Sequence, residues 1–292
     1  MINKLITNIE LKNQNSDVNF SLKLMEDIYD ASDGKNENPH RHNYYSIIWP
    51  TKTVNGFHII DFNEYQIKKD GLFFIQPGQV HQISTNEKPF GFVILFSSDF
   101  LTESKLQKSF IDEIKVFNSF LKNEPLFIQK KKSEKLREFI SSICDAVRTE
   151  SKFRDEAIGA YLKLFLIECS SVCDADIQRE DVKSKLILND FKKLVEKNYF
   201  KEHKVKFYSD RLVISAGHLN YTIKNEIGLT AKDYIQKRIA LESKRLVLFS
   251  NSNAKEIAFE LGFNDPHHFS KFFKKHTGFT ITEFINNNQK NF

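Results

Sequence analysis

One stretch of this chain occurs twice, 50 residues apart, and few folds accommodate such a repeat. Residues 215–235 align without a gap on residues 265–285: Ser215 falls on Asp265, Leu219 on Phe269, Ile223 on Phe273 and Gly228 on Gly278. His218/His268, Lys224/Lys274 and Thr230/Thr280 are identical pairs. Each copy reads as a helix. Ser215 and Asp265 suit the N-cap, Pro266 suits a first turn where its missing N–H is not needed, and Gly228 and Gly278 suit the stop. After each glycine a capping box opens another helix, Thr230-x-x-Asp233 and Thr280-x-x-Glu283. Ahead of the second copy, Ile257, Ala258 and Leu261 mark a short helix that runs into Gly262, so the unit is two helices joined by a tight turn.

The repeat also separates an apolar from a polar face. Phe269 and Phe273, spaced i,i+4, point inward and leave His267, Ser270, Lys271, Lys274 and Lys275 outside. In the first copy Leu219 and Ile223 point inward, so Ala216, Gly217, Asn220, Tyr221 and Lys224 form the outer set. Short, polar, cationic helix faces suit the major groove of double-stranded DNA. Asn220 is the residue type that pairs with adenine, Tyr221 suits a phosphate or a thymine methyl, and Lys224, Lys274 and Lys275 suit phosphates. Any one of those lysines alone also reads as an ordinary solvated helix lysine, and it is their repetition that favours DNA. His218 and His268 are expected to be structural, near the helix starts. Between the copies, residues 231–249 hold no Gly or Pro. As a helix this spacer spans roughly 29 Å, close to the roughly 34 Å between major-groove faces one turn apart.

Residues 185–292 resemble the DNA-binding domain of the AraC/XylS family of bacterial transcription regulators. The resemblance is carried by Ile257-Ala-x-Glu-Leu-Gly-Phe-x-Asp-Pro-x-x-Phe-Ser-Lys-x-Phe-Lys-Lys-x-x-Gly278. Within it, helix-turn-helix 1 is expected at about 207–228, the spacer helix at 231–249 and helix-turn-helix 2 at about 253–278. The family's base-contacting positions fall on Gly217 and Tyr221 in the first helix and on His267, Ser270 and Lys271 in the second. Ala231 and Ile281 replace the proline that usually follows each threonine, and Ile285 stands where many relatives have arginine. With no arginine among the reading positions, the chain is expected to lean on DNA shape.

Charge divides the same way. From residue 183 onward there are 20 Lys and Arg against 11 Asp and Glu, whereas residues 1–182 hold 23 against 27, so the basic half is the half with the repeat. The 292 residues suffice for two ordinary domains, and no run approaches the roughly 20 apolar residues that span a bilayer. Cys144, Cys169 and Cys173 are odd in number and lie in helical contexts, which argues for reduced thiols. With no signal-peptide core at the start, a cytoplasmic protein is expected, and no membrane partner.

Upstream of the repeat the pattern changes. Residues 1–17 are polar and read as a mobile arm. Over 18–98, apolar or alternating runs at 18–25, 44–49, 57–62, 71–75 and 91–96 are separated by Asp33-Gly34, Asn55-Gly56, Asp70-Gly71 and Pro77-Gly78, the pattern of a small antiparallel barrel. Gly34-x5-His40-Arg-His42 followed by Gly71-x5-Pro77-Gly78-x-x-His81 resembles the two cupin motifs. In AraC-type regulators such a barrel commonly senses a small molecule, so the resemblance implies an effector pocket, with His40, His42, Tyr44 and His81 as its candidate lining. His40 and His42 share one strand face and His81 can join them, a geometry that also suits an open zinc site. Metal-binding cupins place a glutamate after three or four further residues, where this chain has Ser46 and Ile47, so no metal and no cofactor is expected. No Rossmann or Walker glycine pattern appears, and no enzymatic activity is expected.

Residues 99–173 turn helical, with Leu136, Phe139, Ile140, Ile143 and Val147 on one stripe and Ile158, Tyr161, Leu162, Phe165, Leu166 and Cys169 on another. These helices read as a cover for the barrel. Their remaining apolar surface offers a homodimer contact, which the family resemblance supports, and the resemblance also implies RNA polymerase as a partner. The polar segment 174–184 reads as the linker. The whole is a two-domain regulator, an antiparallel cupin-like barrel with flanking helices followed by an all-α tandem helix-turn-helix. Two rivals stand beside an effector-responsive regulator: a ligand-independent one whose barrel serves only assembly, and a metal-dependent cupin enzyme with a DNA-binding tail.

Overall fold

The segment Tyr45–Pro50 is buried at all six positions, which an alternating strand with one wet face cannot be. Tyr45, Ile47 and Trp49 pack with helices on one side, while Ile48 belongs to a separate core on the other. The strand therefore lies between a barrel interior and a helical layer. The computed structural model describes residues 7–9, 12–13, 16–17, 19–117, 124–173 and 182–288. It divides into two units, Thr7–Asp176 and Ile177–Phe292.

In the N-terminal unit the order is β1 (Thr7–Ile9), β2 (Lys12–Asn13), β3 (Ser16–Asp17), β4 (Phe20–Leu24), α1 (Met25–Ala31), β5 (His40–His42), β6 (Tyr45–Pro50), β7 (Gly56–Ile60), β8 (Asn63–Gln66), β9 (Gly71–Ile75), β10 (Val80–Thr85) and β11 (Gly91–Phe96). There follow α2 (Ser98–Glu103), α3 (Lys108–Glu113), a 3-10 turn (Lys115–Phe117), β12 (Leu126–Phe127), α4 (Lys130–Arg148) and α5 (Arg154–Cys173). One sheet runs β1-β5-β10-β7-β8 and the other β12-β9-β6-β11-β4. Between them lies a core of Ile48, Phe73, Ile75 and Val93 from one sheet with Ile60 from the other, the interior of the cupin-like barrel. On the outer face of the second sheet, Leu72, Ile94 and Phe96 join Tyr45, Ile47 and Trp49 against Leu136, Ile140, Ile143, Ile158, Leu162 and Phe165 of α4 and α5. The register fixes which face each residue takes, with Ile47 opposite both Phe74 and Ile94.

Three expectations change. The arm expected at residues 1–17 contains strands among its described residues, because β5 offers an open edge on which Thr7–Ile9 pairs in parallel with His40–His42. The apolar run 57–62 is strand only to Ile60: Asp61 and Phe62 take positive φ and turn the chain into β8, and the buried Asp61 carboxylate accepts from the Val80 N–H and the Gln79 amide. Within the helical region 99–173, Leu126–Phe127 is a strand that extends the second sheet beside β9. Of the linker expected at 174–184, residues 174–181 lie outside those described and 182–184 already belong to the next helix.

The C-terminal unit is all helix: α6 (Val182–Asn198), α7 (Val205–Arg211), α8 (Ala216–Ile227), α9 (Ala231–Phe249), α10 (Ala254–Glu260), α11 (Pro266–Thr277) and α12 (Ile281–Asn288). The caps fall where the repeat puts them. Ser215 accepts from the His218 N–H and Asp265 from the His267 N–H, while Gly228 and Gly278 end their helices in the left-handed conformation. Thr230 and Thr280 accept from Asp233 and Glu283. Helix α9 is the axis against which α7, α8, α10, α11 and α12 all pack. It carries two arginines that the sequence reading passed over. Arg238 donates through Nε to both Glu196 carboxylate oxygens at 3.0 Å and through Nη1 to Glu242 at 2.9 Å, and Arg245 donates to the same Glu242 at 3.1 Å. Burial works against the Arg238 charge, but Glu196 and Glu242 hold its pKa above the ordinary value.

Candidate functional site

Helices α8 and α11 bury the same two positions, Leu219 and Ile223 in one and Phe269 and Phe273 in the other. Their outward faces then correspond. Gly217, Tyr221 and Lys224 are exposed at i, i+4 and i+7, as are His267, Lys271 and Lys274. Ser270 and Lys275 are exposed too, Ala216 is half-buried, and Tyr221 keeps 67% of its surface in solvent, far more than its apolar ring favours without a partner.

Two of these side chains already make hydrogen bonds within the unit. Asn220 is half-buried and its Oδ1 accepts from the Ala231 N–H at 3.1 Å, so it fastens the start of α9 instead of standing open to adenine. The Ser270 hydroxyl donates to Pro266 O at 3.0 Å, which leaves its oxygen as an acceptor only. His218 and His268, expected as structural, are both exposed, and His268 Nε2 lies 3.9 Å from Asp265 Oδ2.

The barrel gathers a second set of residues. His40 and His42 lie on β5 and His81 on β10, in register opposite His40. All three are buried, as is His58 of β7, which the sequence reading left inside an apolar run. Tautomers follow from the partners. A carbonyl only accepts, so His42 Nδ1 donates to Tyr44 O at 2.7 Å and its Nε2 is a lone pair. His81 Nε2 donates to that lone pair at 2.9 Å, and His58 Nε2 donates to His81 Nδ1 at 3.1 Å. The chain ends on His58 Nδ1, a buried lone pair without a partner. Burial holds these rings neutral: His42 is pulled down to about 4, His58 to about 3, and His81 well below its ordinary value. Tyr44 stacks on His42 at 3.9 Å between centroids, and burial together with Glu37 pushes its phenol up to about 12.

Of these groups all but His58 border a cavity of about 210 Å³ between the two sheets. His40, His42, Tyr44 and His81 all line it, with Ile48, Ile83, Val93 and Leu95 as apolar wall. Glu37, three residues before His40 on the loop from α1, also lines it, an acid that precedes the His-x-His where the cupin motif places one after it.

A basic tandem helix-turn-helix built on one spacer helix, carried by a chain that also has a pocketed barrel, defines a DNA-binding regulator. Residues 208–287 match the family described as "Helix-turn-helix domain". The uncharacterized HTH-type transcriptional regulator YfiF of Bacillus subtilis is 22% identical over 245 residues, 82% of this chain and 76% of its own length. The HTH-type transcriptional activator RhaS of Pectobacterium carotovorum is 22% identical over 247 residues, 81% of this chain and 83% of its own. Among solved structures, ToxT of Vibrio cholerae covers 92% of this chain and 98% of its own at 14% identity and a TM-score of 0.41, too loose a superposition to carry an argument. The C-terminal part of the chain carries an AraC-type helix-turn-helix domain, and the chain is a DNA-binding transcription regulator similar to these proteins.

Proposed function

We propose that this regulator reads DNA with α8 and α11 in successive major grooves. Gly217, Tyr221, His267, Ser270 and Lys271 face base edges, and Ala216, Lys224, Lys274 and Lys275 face the backbone. The observation that carries the reading is the matched exposure of 217/221/224 and 267/271/274 over buried pairs at corresponding positions. The 19 residues of α9 make a spacer about 29 Å long between the two units. Mapping genome occupancy of the tagged protein, and then of Tyr221→Ala and Lys271→Ala, tests it. Each variant is expected to lose discrimination of about 1–3 kcal/mol at its own base positions. Unchanged site preference in both would contradict the assignment.

In the same reading the barrel pocket takes a small ligand on His40, His42, Tyr44 and His81, and the ligand shifts the population that fits operator DNA. A floor of neutral, hydrogen-bonding rings under an apolar wall supports this role. The protein acts without catalysis, as a cytoplasmic homodimer that works with RNA polymerase. Half-exposed Leu164 and Ile167, i,i+3 on α5, are surface suited to a second copy. Among the described residues no helix is long and apolar enough to cross a membrane.

A further inference from the structure

We propose that the floor of the barrel pocket binds a divalent transition-metal ion of the zinc class through Glu37, His40 and His81. One donor atom from each of the three lies within 4.8 Å of the others, and all three line the same cavity. His40 and His81 are cross-strand partners with ring centroids 4.3 Å apart, so two strands of one sheet fix their positions. Glu37 Oε2 is shut off from solvent with no hydrogen-bond partner, although 37% of the side chain remains exposed. His40 Nδ1 lies 3.9 Å from it, too long for a hydrogen bond, and donates instead to Asn38 O at 3.0 Å, which leaves His40 Nε2 as that ring's lone pair. A carboxylate oxygen buried without a donor is unfavourable, and a cation beside it removes the penalty.

The chemistry of the set suits the ion. Two imidazoles and one carboxylate form a mixed N/O triad of the kind that leaves a coordination position open. Donors on a tetrahedral ion with bonds of about 2.0–2.1 Å lie roughly 3.4 Å apart, so Glu37, on a loop, closes inward by on the order of 1 Å while the strand-borne rings stay in place. Binding reverses the ring tautomers: His81 turns its Nε2 lone pair to the ion and donates from Nδ1 to His58 Nε2, and His42 Nε2, 2.9 Å from His81 Nε2, becomes available as a fourth donor. Ser46 and Ile47 stand where the metal-binding cupin motif has its acid, and Glu37 supplies a carboxylate from the other side of the His-x-His. The open position faces the cavity, so the ion can carry water or an anionic ligand there.

The inference deepens the reading of this pocket as the sensing site and rests on it for its regulatory meaning. Full-length protein, stripped with chelator and dialysed, is titrated with Co²⁺ and followed by visible ligand-field absorption. One equivalent per chain is expected, displaced by Zn²⁺. Glu37→Gln and His81→Gln, each shown to be folded by the fluorescence of Trp49, are expected to weaken Co²⁺ binding at least tenfold, whereas His218→Gln on the other unit leaves it unchanged. No uptake by the parent protein, or equal uptake by both folded pocket variants, overturns the metal site. Operator affinity measured with and without Zn²⁺ separates the two claims. Site-specific uptake that leaves operator affinity unchanged supports the metal site and removes its sensing role. Absence of uptake alongside an organic compound that raises the melting temperature overturns the metal site and keeps the pocket as a sensor.

Discussion

At the scale of single residues, position in the sequence and chemical type point to a role that only the partner atoms decide. Asn220 has the right type for adenine, yet its side chain is spent on the Ala231 N–H. Asn220→Ala is therefore expected to cost about 1 kcal/mol of stability in the C-terminal unit with no change in base preference, checked by chemical denaturation beside selection from random DNA. The barrel histidines give a second prediction. His42 and His58 have folded values of about 4 and about 3, below the ordinary 6.5, so the unfolded chain takes up protons first as pH falls. Their contribution to stability is complete above about pH 6.5 and is lost as pH drops toward the folded values, about 3 kcal/mol for His42 alone at 1.4 kcal/mol per unit. Trp49 is the single tryptophan and is buried in the N-terminal unit, so its fluorescence follows that unit selectively. Urea midpoints should fall from pH 7 to pH 5, and a flat profile would contradict neutral buried rings. Glu37 and His58 show the limit of reading residues from sequence, since a loop glutamate and a histidine inside an apolar run carry no local sign that tertiary packing brings the one to the cavity and the other to the ring of His81 behind it.

At the scale of elements, the caps and stops of α8 to α12 were legible because capping is local chemistry, set by residues three or four apart. Strands at 71–75 and 91–96 were legible for the same reason, through short apolar runs bounded by turn residues. Strand β8 carries no such sign, being short, polar and defined by its partner across the sheet, and β5 and β10 are legible only through their histidines. The Arg238–Glu242–Arg245 cluster that joins α9 to α6 was likewise hidden, because arginines in a helix read as solvated until the neighbouring Glu196 is placed. Two glycines give a test at this scale. Gly278 has φ of +82° and open space where a Cβ would stand, so Gly278→Ala is expected to cost only the backbone strain, roughly 1–2 kcal/mol. Gly262 has φ of +75° and would put that Cβ 2.6 Å from Phe200 O, so Gly262→Ala adds a backbone clash of about 1–3 kcal/mol more. Thermal denaturation followed by circular dichroism should rank Gly262→Ala clearly below Gly278→Ala, and equal losses would show that the turn does not touch the α6–α7 connection as described.

At the scale of the molecule, the chain separates charge along its length, with 20 Lys and Arg against 11 Asp and Glu from residue 183 onward, beside an acidic N-terminal part. Affinity for DNA should fall linearly in log–log coordinates as salt rises, and Lys274→Ala should reduce that slope by about 1 if its ammonium meets a phosphate. An unchanged slope would return Lys274 to the solvated surface. The central claim is that one rigid spacer holds two reading helices for adjacent major grooves. The most direct test starts from the best operator selected out of random DNA by the purified protein and inserts about 5 base pairs, half a helical turn, between its two contacted elements. Affinity is expected to drop to the level of a single element, and a further 5 base pairs should not restore it, because α9 cannot lengthen. Affinity that survives the half-turn insertion would contradict simultaneous docking of α8 and α11.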